Sequence, residues 1–396
     1  MAGALKGVRV IDLTSMISGP SATMILGDQD AEIIKIENTL VGDYTRIVST
    51  QRAGVSAAYL NNNRNKKSVC IDLKTDDGKK ILKELIKTAD VIVQNFRPGV
   101  MDRLGFGYND VATISPNIIY VSISGFGFTG PYKNKPVYDP LIQALSGLAT
   151  IQAGSDEDRP RLVRTILPDK LTGLGTAQAI TAALFHKAKT GEGQEIKISM
   201  LDTVVSFLWG SDMGGHTFFG NELEKETAQS FIDLIYETKE GFISVAVQSD
   251  KEWFNLCDAF NKKEWLSDPR FLTAELRHEN INKRLELIQS ELKKKTSEEW
   301  LKLLTDKDVP CAPVLTRKEM INNEQVIANG IIKISEHPSA GKIRQSKLAA
   351  SFSVTNKDEV LPAPSHGQDT HSVLLSVGFT ESEISNFCSN NVIKTI

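Results

Sequence analysis

The sequence predicts an α/β protein: a large domain on a mostly parallel sheet with helices on both faces, then a smaller α+β domain. Two observations predict it. Over the first 200 residues, short β-branched runs alternate with helical patterns, as in successive βαβ units. Around residues 201 to 240 the alternation stops, and helical, lysine-rich segments follow a single strand.

In chain order, the first expected strand is Val8–Asp12, a β-branched run close to the N-terminus. A helical pattern near Pro20–Gly27 leads to the strand Glu32–Ile36. Ser68–Asp72 is the third strand, and Asp76–Thr88 the helix after it. Strands follow at Asp90–Gln94 and Ile118–Ser124. Over Lys170–Lys187 the residues Leu171, Leu174, Ala177, Ile180, Ala183 and Leu184 recur at helical spacing, and Gly191 and Gly193 punctuate the far end. Glu195–Met200 is the last strand of the set. A helix over Leu201–Phe219 then leads into the polar segment Asn221–Gln229. Gly241–Val247 reads as a strand, followed by helices at Lys251–Phe260, Glu279–Lys295 and Ser297–Leu304. The tail from Gly330 carries short strands, the proline-rich Leu361–Pro364 and helices at Thr370–Val377 and Glu381–Asn390. The expected domains are 1–224, 225–325 and a segment 326–396 returning to the large domain.

A chain of 396 residues is long enough for two cores, and 41% hydrophobic with 24% charged residues is ordinary for a globular protein. A net charge of −3 argues against nucleic acid or a membrane surface as the main partner. No apolar stretch is long enough to span a bilayer. Met1–Leu13 lacks the layout of a signal peptide, so a cytoplasmic location is expected. Cys70, Cys257, Cys311 and Cys388 lie far apart and read as reduced thiols. Six scattered histidines form no ligand pair, and His366 and His371 are expected at a solvated surface; no metal site is expected.

Asp169 stands where the helix after Pro168 should begin. A carboxylate there can accept free N–H groups and feel the positive end of the helix dipole, which keeps it ionised. It is either an ordinary cap or a nucleophile. Gly125-Phe126-Gly127-Phe128-Thr129-Gly130 fits GxGxxG after a strand, yet the loop Pro131–Pro136 follows where a dinucleotide site needs a helix. A nicotinamide or flavin site is therefore not expected, although the glycines permit close backbone approach. Asn61–Lys67 is a basic, amide-rich loop, either a solvated face or a phosphate contact. Asn95-Phe96-Arg97-Pro98-Gly99 closes a strand and can stack on a base, grip phosphate, or simply turn.

Taken with Leu5–Asp12, Gly42–Arg46, Asn63–Ser68, Ser124–Gly127, Tyr138-Asp139, Thr190–Gln194 and Ser267–Phe271, these segments resemble the class III CoA-transferase family over essentially the whole chain. That family includes formyl-CoA and carnitine CoA-transferases and α-methylacyl-CoA racemase. The resemblance implies a Rossmann-like, doubly wound large domain and a small domain joined by long linkers, in a homodimer of interlocked rings. It puts the catalytic carboxylate at Asp169 and a second acid at Asp139. It carries CoA contact to Ile17, Ser18, Asn38, Ile71, Lys74, Asn95, Phe96, Arg97, Arg103, Val137, Tyr138 and Met200.

The chemistry so implied is covalent. The carboxylate attacks an acyl-CoA thioester, giving a mixed anhydride and CoA thiolate; the thiolate then forms an aspartyl-CoA thioester, and an acceptor acid reverses the sequence. Backbone N–H groups near Gly125–Gly127 or at the start of the Asp169 helix can hold the oxyanion, and a closed cavity must exclude water. No permanently bound cofactor is implied; the CoA thioester is itself a substrate.

Departures from family patterns narrow the activity. Formyl-CoA transferases carry a glutamine where this chain has Ile17, and a glycine-run loop that Asn221–Glu240 lacks, so oxalate chemistry is not expected. Racemases place a histidine at Tyr138, and tyrosine is a weak base near neutral pH. Asp30 replaces a usual glycine and reads as structural. The resulting expectation is transfer between an acyl-CoA and a carboxylate, with intramolecular transfer and racemisation as alternatives. Arg46, Arg52, Arg161 and Arg164 suggest a dicarboxylate, with succinyl-CoA as donor.

Overall fold

The computed structural model describes residues 2–154, 158–220, 233–355 and 360–396. The chain divides into a larger unit of residues 1–149, 162–213 and 330–396 and a smaller one of 150–161 and 214–329. Set beside the expected boundaries, the smaller unit starts earlier, at Gly214, and also takes in Thr150–Arg161.

The larger unit is built on β1 (Arg9–Asp12), β2 (Glu32–Glu37), β3 (Lys66–Ile71), β4 (Val91–Gln94), β5 (Ile119–Ser124) and β6 (Glu195–Ser199). They pair in the order β3-β2-β1-β4-β5-β6, all parallel, and Ile393–Lys394 adds an antiparallel edge beside β3. This is the doubly wound order, in which the direction of winding reverses between β1 and β4. Side chains alternate across the pleat, so neighbours enter different cores. Ile11, Ile34 and Val69 pack on one face with Ile81, Leu82 and Leu85, and with Leu374 and Phe387 of the C-terminal helices. Val10, Ile33 and Val121 pack on the other with Leu26, Ala177 and Ile180.

The helices that shape the site are α1 (Ser18–Asp28), α2 (Asp76–Lys87), α3 (Asp139–Leu145), α4 (Leu167–Thr190) and α5 (Met200–Leu208). α2 begins where Thr75 Oγ1 accepts the Gly78 N–H, with Asp76 and Asp77 in its first turn. α4 ends at Gly191 in a left-handed conformation (φ 79°), the geometry glycine favours. The helix expected over Leu201–Phe219 is shorter: α5 stops at Leu208, and a separate turn forms at Gly214–Thr217. Gly210, Gly214 and Gly215 weaken helix continuation there. Residues 221–232, including Asn221–Gln229 and most of Asn221–Glu240, lie outside the described residues.

In the smaller unit, strands Ile235–Glu237, Phe242–Val245 and Cys311–Pro313 form one antiparallel sheet. The helix expected over Glu279–Lys295 forms as Ile281–Leu292, and a separate short helix, Ala274–Glu279, precedes it across Asn280. Trp253, Trp265, Phe271 and Trp300 centre this unit's own core. Among the described residues, no helix is long and apolar enough to cross a membrane.

Candidate functional site

In an open parallel sheet the crevice outside the strand C-termini at the winding reversal is where ligands gather. Here it lies beyond β1 and β4. The loop after β1 and the turn after β4 are stitched together: Ser15 N–H donates to Asn95 Oδ1 at 3.0 Å, and Asn95 Nδ2 donates to the Ser15 carbonyl at 2.8 Å. A cavity of about 280 Å³ opens there. It brings together Ser18, Asn95, Phe96, Arg97, Val137, Tyr138, Asp139, Asp169 and Met200 of the residues expected at the site. Gly125 also lines it, and a Cβ at that position would overlap the Val137 side chain, so only glycine fits the turn after β5. Phe126 to Tyr138 form no helix, so none opens at the glycines of Gly125–Gly130.

Asp169 sits inside the first turn of α4, not ahead of it: Ile166 is the capping residue, and no side chain caps from that position. The expectation that Asp169 caps its own helix is therefore corrected. The capping oxygen comes from Asp139, whose Oδ2 accepts the Asp169 N–H at 3.3 Å while its Oδ1 accepts from Gln143 Nε2 at 2.6 Å. Asp139 is only 4% exposed. Burial raises the Asp169 carboxyl above the ordinary carboxylate value; hydrogen bonds from Ser18 oppose that, and the negative Asp139 adds to it. Any pull from the helix end is outweighed. The first-turn N–H groups are also spent, since Leu167 donates to Thr165, Asp169 to Asp139 and Lys170 to Ile166. The start of this helix thus offers no free donor for an oxyanion, contrary to expectation. Gly125 and Phe126 line the cavity and their N–H groups have no partner among the described residues.

The close approach of α4 to α1 places Asp169 beside Ser18. At Gly173, on the same face one turn later, an added Cβ would overlap Ser21 Oγ and stand 3.0 Å from the Ser18 carbonyl. Ahead of α1, the loop from Thr14 to Ile17 is held from below by buried charge. Met16 takes a left-handed backbone (φ 71°) and donates its N–H to Asp43 Oδ1 at 3.2 Å. Lys35 Nζ pairs with Asp43 Oδ2 at 2.9 Å and donates to the Thr14 carbonyl at 2.8 Å. Asp12 Oδ1 accepts the Thr14 N–H, and Lys66 Nζ donates to Asp12 Oδ2 at 3.0 Å. Burial pushes the Asp12 carboxyl up, but Lys66, Lys35 and the Thr14 and Thr23 hydroxyls outweigh it and hold it below the ordinary range. Burial lowers Lys66 to about 8, against the opposing charge of Asp12.

This corrects the reading of Asn61–Lys67 for all but its ends. The segment closes a helix, Ala57–Asn63, and two of its three cations are internal: Arg64 pairs with Asp28, Asn65 Nδ2 donates to Asp28 Oδ1 at 2.7 Å, and Lys66 is fully buried, while Lys67 is exposed and pairs with Glu32. Arg46 is likewise taken up, by Glu37 at 2.7 Å and by stacking 3.8 Å above the Tyr59 ring, so it cannot receive a substrate carboxylate. Arg52 donates to the Lys342 carbonyl, away from the crevice. Arg164 is exposed; Arg161 belongs to the smaller unit.

The other expected CoA positions lie outside the cavity lining. Ile17 precedes α1 and is half-buried. Asn38 is spent on its own loop, its Oδ1 accepting from Leu40, Val41 and Gly42. Ile71 is buried in the sheet core, which leaves only its main chain for a ligand. Lys74 is exposed after β3, and Arg103 lies in the short helix Val100–Leu104 just past Gly99. Tyr138, which does line the cavity, is 69% exposed at the start of α3. His366, expected on a solvated surface, is half-buried, with Nε2 2.8 Å from the Asn38 carbonyl. Sequence reasoning missed Ser15, Met16, Lys133 and Lys135, which line the cavity, and Gln143, which holds Asp139. Two lysines in a proline-bounded loop after a glycine-rich turn were a usable signal; the left-handed Met16 left none. Among the described residues, no group of three or more His, Cys, Asp or Glu could hold a metal ion.

The model of CoA-transferase family III matches residues 5–370. A human succinyl-CoA:glutarate CoA-transferase is 34% identical over 380 residues, covering 94% of this chain and 86% of that protein. A formyl-CoA:oxalate CoA-transferase of Escherichia coli O6:H1 is 32% identical, covering 99% of this chain and all of that one. Among solved structures, Rv3272 from Mycobacterium tuberculosis superimposes with a TM-score of 0.82 at 28% identity, over 93% of this chain and 98% of the other. A CAIB/BAIF family protein from Brucella suis also gives 0.82, at 25% identity, over 95% of this chain and 100% of the other.

Proposed function

This chain belongs to CoA-transferase family III, and from that premise we propose that it moves CoA between an acyl-CoA and a carboxylic acid through covalent intermediates on Asp169. The observation that carries the reading is the acidic pair: Asp169 is partly buried at the crevice, and Asp139 is tied to its backbone N–H. A raised carboxyl is a more basic and more nucleophilic carboxylate once ionised.

In this reading an Asp169 carboxylate oxygen bonds to the thioester carbon, and the C–S bond breaks to release CoA thiolate. The thiolate attacks the Asp169 carbonyl of the mixed anhydride and expels the donor acid, leaving an aspartyl-CoA thioester. The acceptor carboxylate attacks that thioester and releases thiolate once more. Thiolate then takes the acceptor's acyl group and frees Asp169. Gly125 and Phe126 are the backbone donors left for the oxyanion, and Arg97, Lys133 and Lys135 supply cationic contacts for CoA phosphates.

Similarity to a succinyl-CoA:glutarate CoA-transferase and Ile17 in place of the formyl-CoA transferase glutamine favour succinyl-CoA with a dicarboxylate acceptor. The arginine that would grip the second carboxylate is not Arg46. We further propose a homodimer: Leu174 and Phe185 on α4, Phe207 on α5 and the nearby Trp209 all leave large apolar side chains exposed.

The test is to incubate the protein with succinyl-CoA, formyl-CoA and a 2-methylacyl-CoA, trap with hydroxylamine or borohydride, and map the mass change. Label at Asp169 from succinyl-CoA, with turnover on glutarate, is the expected result. Asp169→Asn should abolish label and lower kcat by at least about a thousandfold. Full activity in that variant, or deuterium wash-in at the α-carbon without label, would overturn the reading.

A further inference from the structure

Gln143 has no part in the chemistry above, yet it is one of the most constrained polar side chains near it. It is 2% exposed and lies one helical turn after Asp139 on α3. Its Nε2 donates to Asp139 Oδ1 at 2.6 Å and lies 3.3 Å from the carbonyls of Val163 and Thr165. Its Oε1 accepts the Val163 N–H at 2.9 Å. The orientation of the amide follows from these neighbours. Turned over, it would set its oxygen against a carboxylate and two carbonyls and its NH2 against an N–H group.

The side chain therefore ties two segments together. One is Asp139 itself. The other is Val163–Thr165, the stretch that enters α4; Leu167 N–H in turn donates to the Thr165 carbonyl at 2.8 Å. With Oδ1 of Asp139 held by Gln143, Oδ2 is left to accept the Asp169 N–H. Both ends of the acidic pair are thus referred to one amide.

Building on the Asp169 mechanism, we propose that Gln143 is the positioning residue of the acidic pair: it sets the Asp139 carboxylate and the entry to α4 in the one arrangement that aims Asp169 at the thioester. Displacing a reacting group by about 1 Å costs roughly a hundredfold in rate, while the cationic CoA contacts proposed above, Arg97 after β4 and Lys133 and Lys135 after β5, do not touch Gln143 and are left in place. Loss of Gln143 should therefore act on kcat and not on KM.

Two variants test this. Gln143→Met keeps the volume and removes all of the amide's hydrogen bonds; Gln143→Glu keeps an acceptor for Val163 N–H but turns a second acceptor toward Asp139. In wild-type protein, labelling of Asp169 by succinyl-CoA is timed by quench and mass spectrometry, beside steady-state kcat and KM with glutarate. Both variants should slow labelling per folded molecule by about tenfold to a hundredfold, with KM for succinyl-CoA little changed. Leu85→Ala, a cavity in the sheet core far from this chemistry, should lose stability yet label at the wild-type rate. The proposal is overturned if either Gln143 variant labels as fast as wild type, if KM rises in step with the loss, or if Leu85→Ala slows labelling equally. Wild-type protein that takes no label at Asp169 would instead sink the covalent mechanism on which the proposal rests.

Discussion

The capping role that sequence alone offers Asp169 belongs to Asp139. Asp169 follows proline at a helix entry and looks like a cap; the cap is Asp139, thirty positions earlier. No local pattern encodes that, because the hydrogen bond depends on where α3 and α4 lie in space. Glu37 gives a second case. At the end of β2 it is 4% exposed and accepts from Arg46, from Ser68 Oγ at 2.7 Å and from the Asp43 N–H at 2.8 Å, partners outside its own strand. Burial pushes its carboxyl up, but Arg46, Lys35 and Ser68 prevail and bring it from an ordinary 4.5 to about 2. A folded value below the unfolded one means stability that is fully present above 4.5 and is lost as pH falls toward 2. Glu37→Gln should cost about 3 kcal/mol at neutral pH, because it leaves Arg46 without its charge partner. Thermal unfolding between pH 7 and 3 should show the variant losing less on acidification than wild type; parallel curves would remove Glu37 from the account.

At the scale of elements, periodicity located the six parallel strands of the large sheet and the long helix α4, since alternation and 3.6-residue spacing are properties of the chain itself; the two-residue edge Ile393–Lys394 is too short to show either. It overran where a pattern continued past a break, at Leu208, because glycines barely dent an apolar count. The basic run Asn61–Lys67 failed for another reason. Charge in sequence suggests solvent, which holds for Lys67, whereas Asp28 and Asp12, remote in the chain, neutralise Arg64 and Lys66 inside the fold. The crossing of α4 on α1 is an element-scale device with its own test. Gly173→Ala would push Cβ into Ser21 and toward the Ser18 carbonyl, costing about 1–3 kcal/mol of overpacking and moving Asp169 off Ser18. A lower melting temperature together with a fall in kcat is expected; a stability loss with unchanged kcat would show that the crossing does not set the nucleophile.

For the whole molecule, the strand order β3-β2-β1-β4-β5-β6 creates the crevice, and every residue argued to do chemistry reaches it from the larger unit. The apolar side chains left exposed on α4 and α5 make a prediction at the same scale. Sedimentation at micromolar concentration should give twice the 43.6 kDa chain mass, and a monomer under those conditions would refute the dimer. By itself the sequence determined the family, the α/β alternation and the identity of the acid at position 169, because ordered motifs and periodicity are written along one dimension. Tertiary structure alone decided which aspartate caps and which is presented, which basic residues are spent inside the fold and what Gln143 holds. Those are distances between segments far apart in the chain, set by sheet order and helix packing, and no spacing within the sequence carries them.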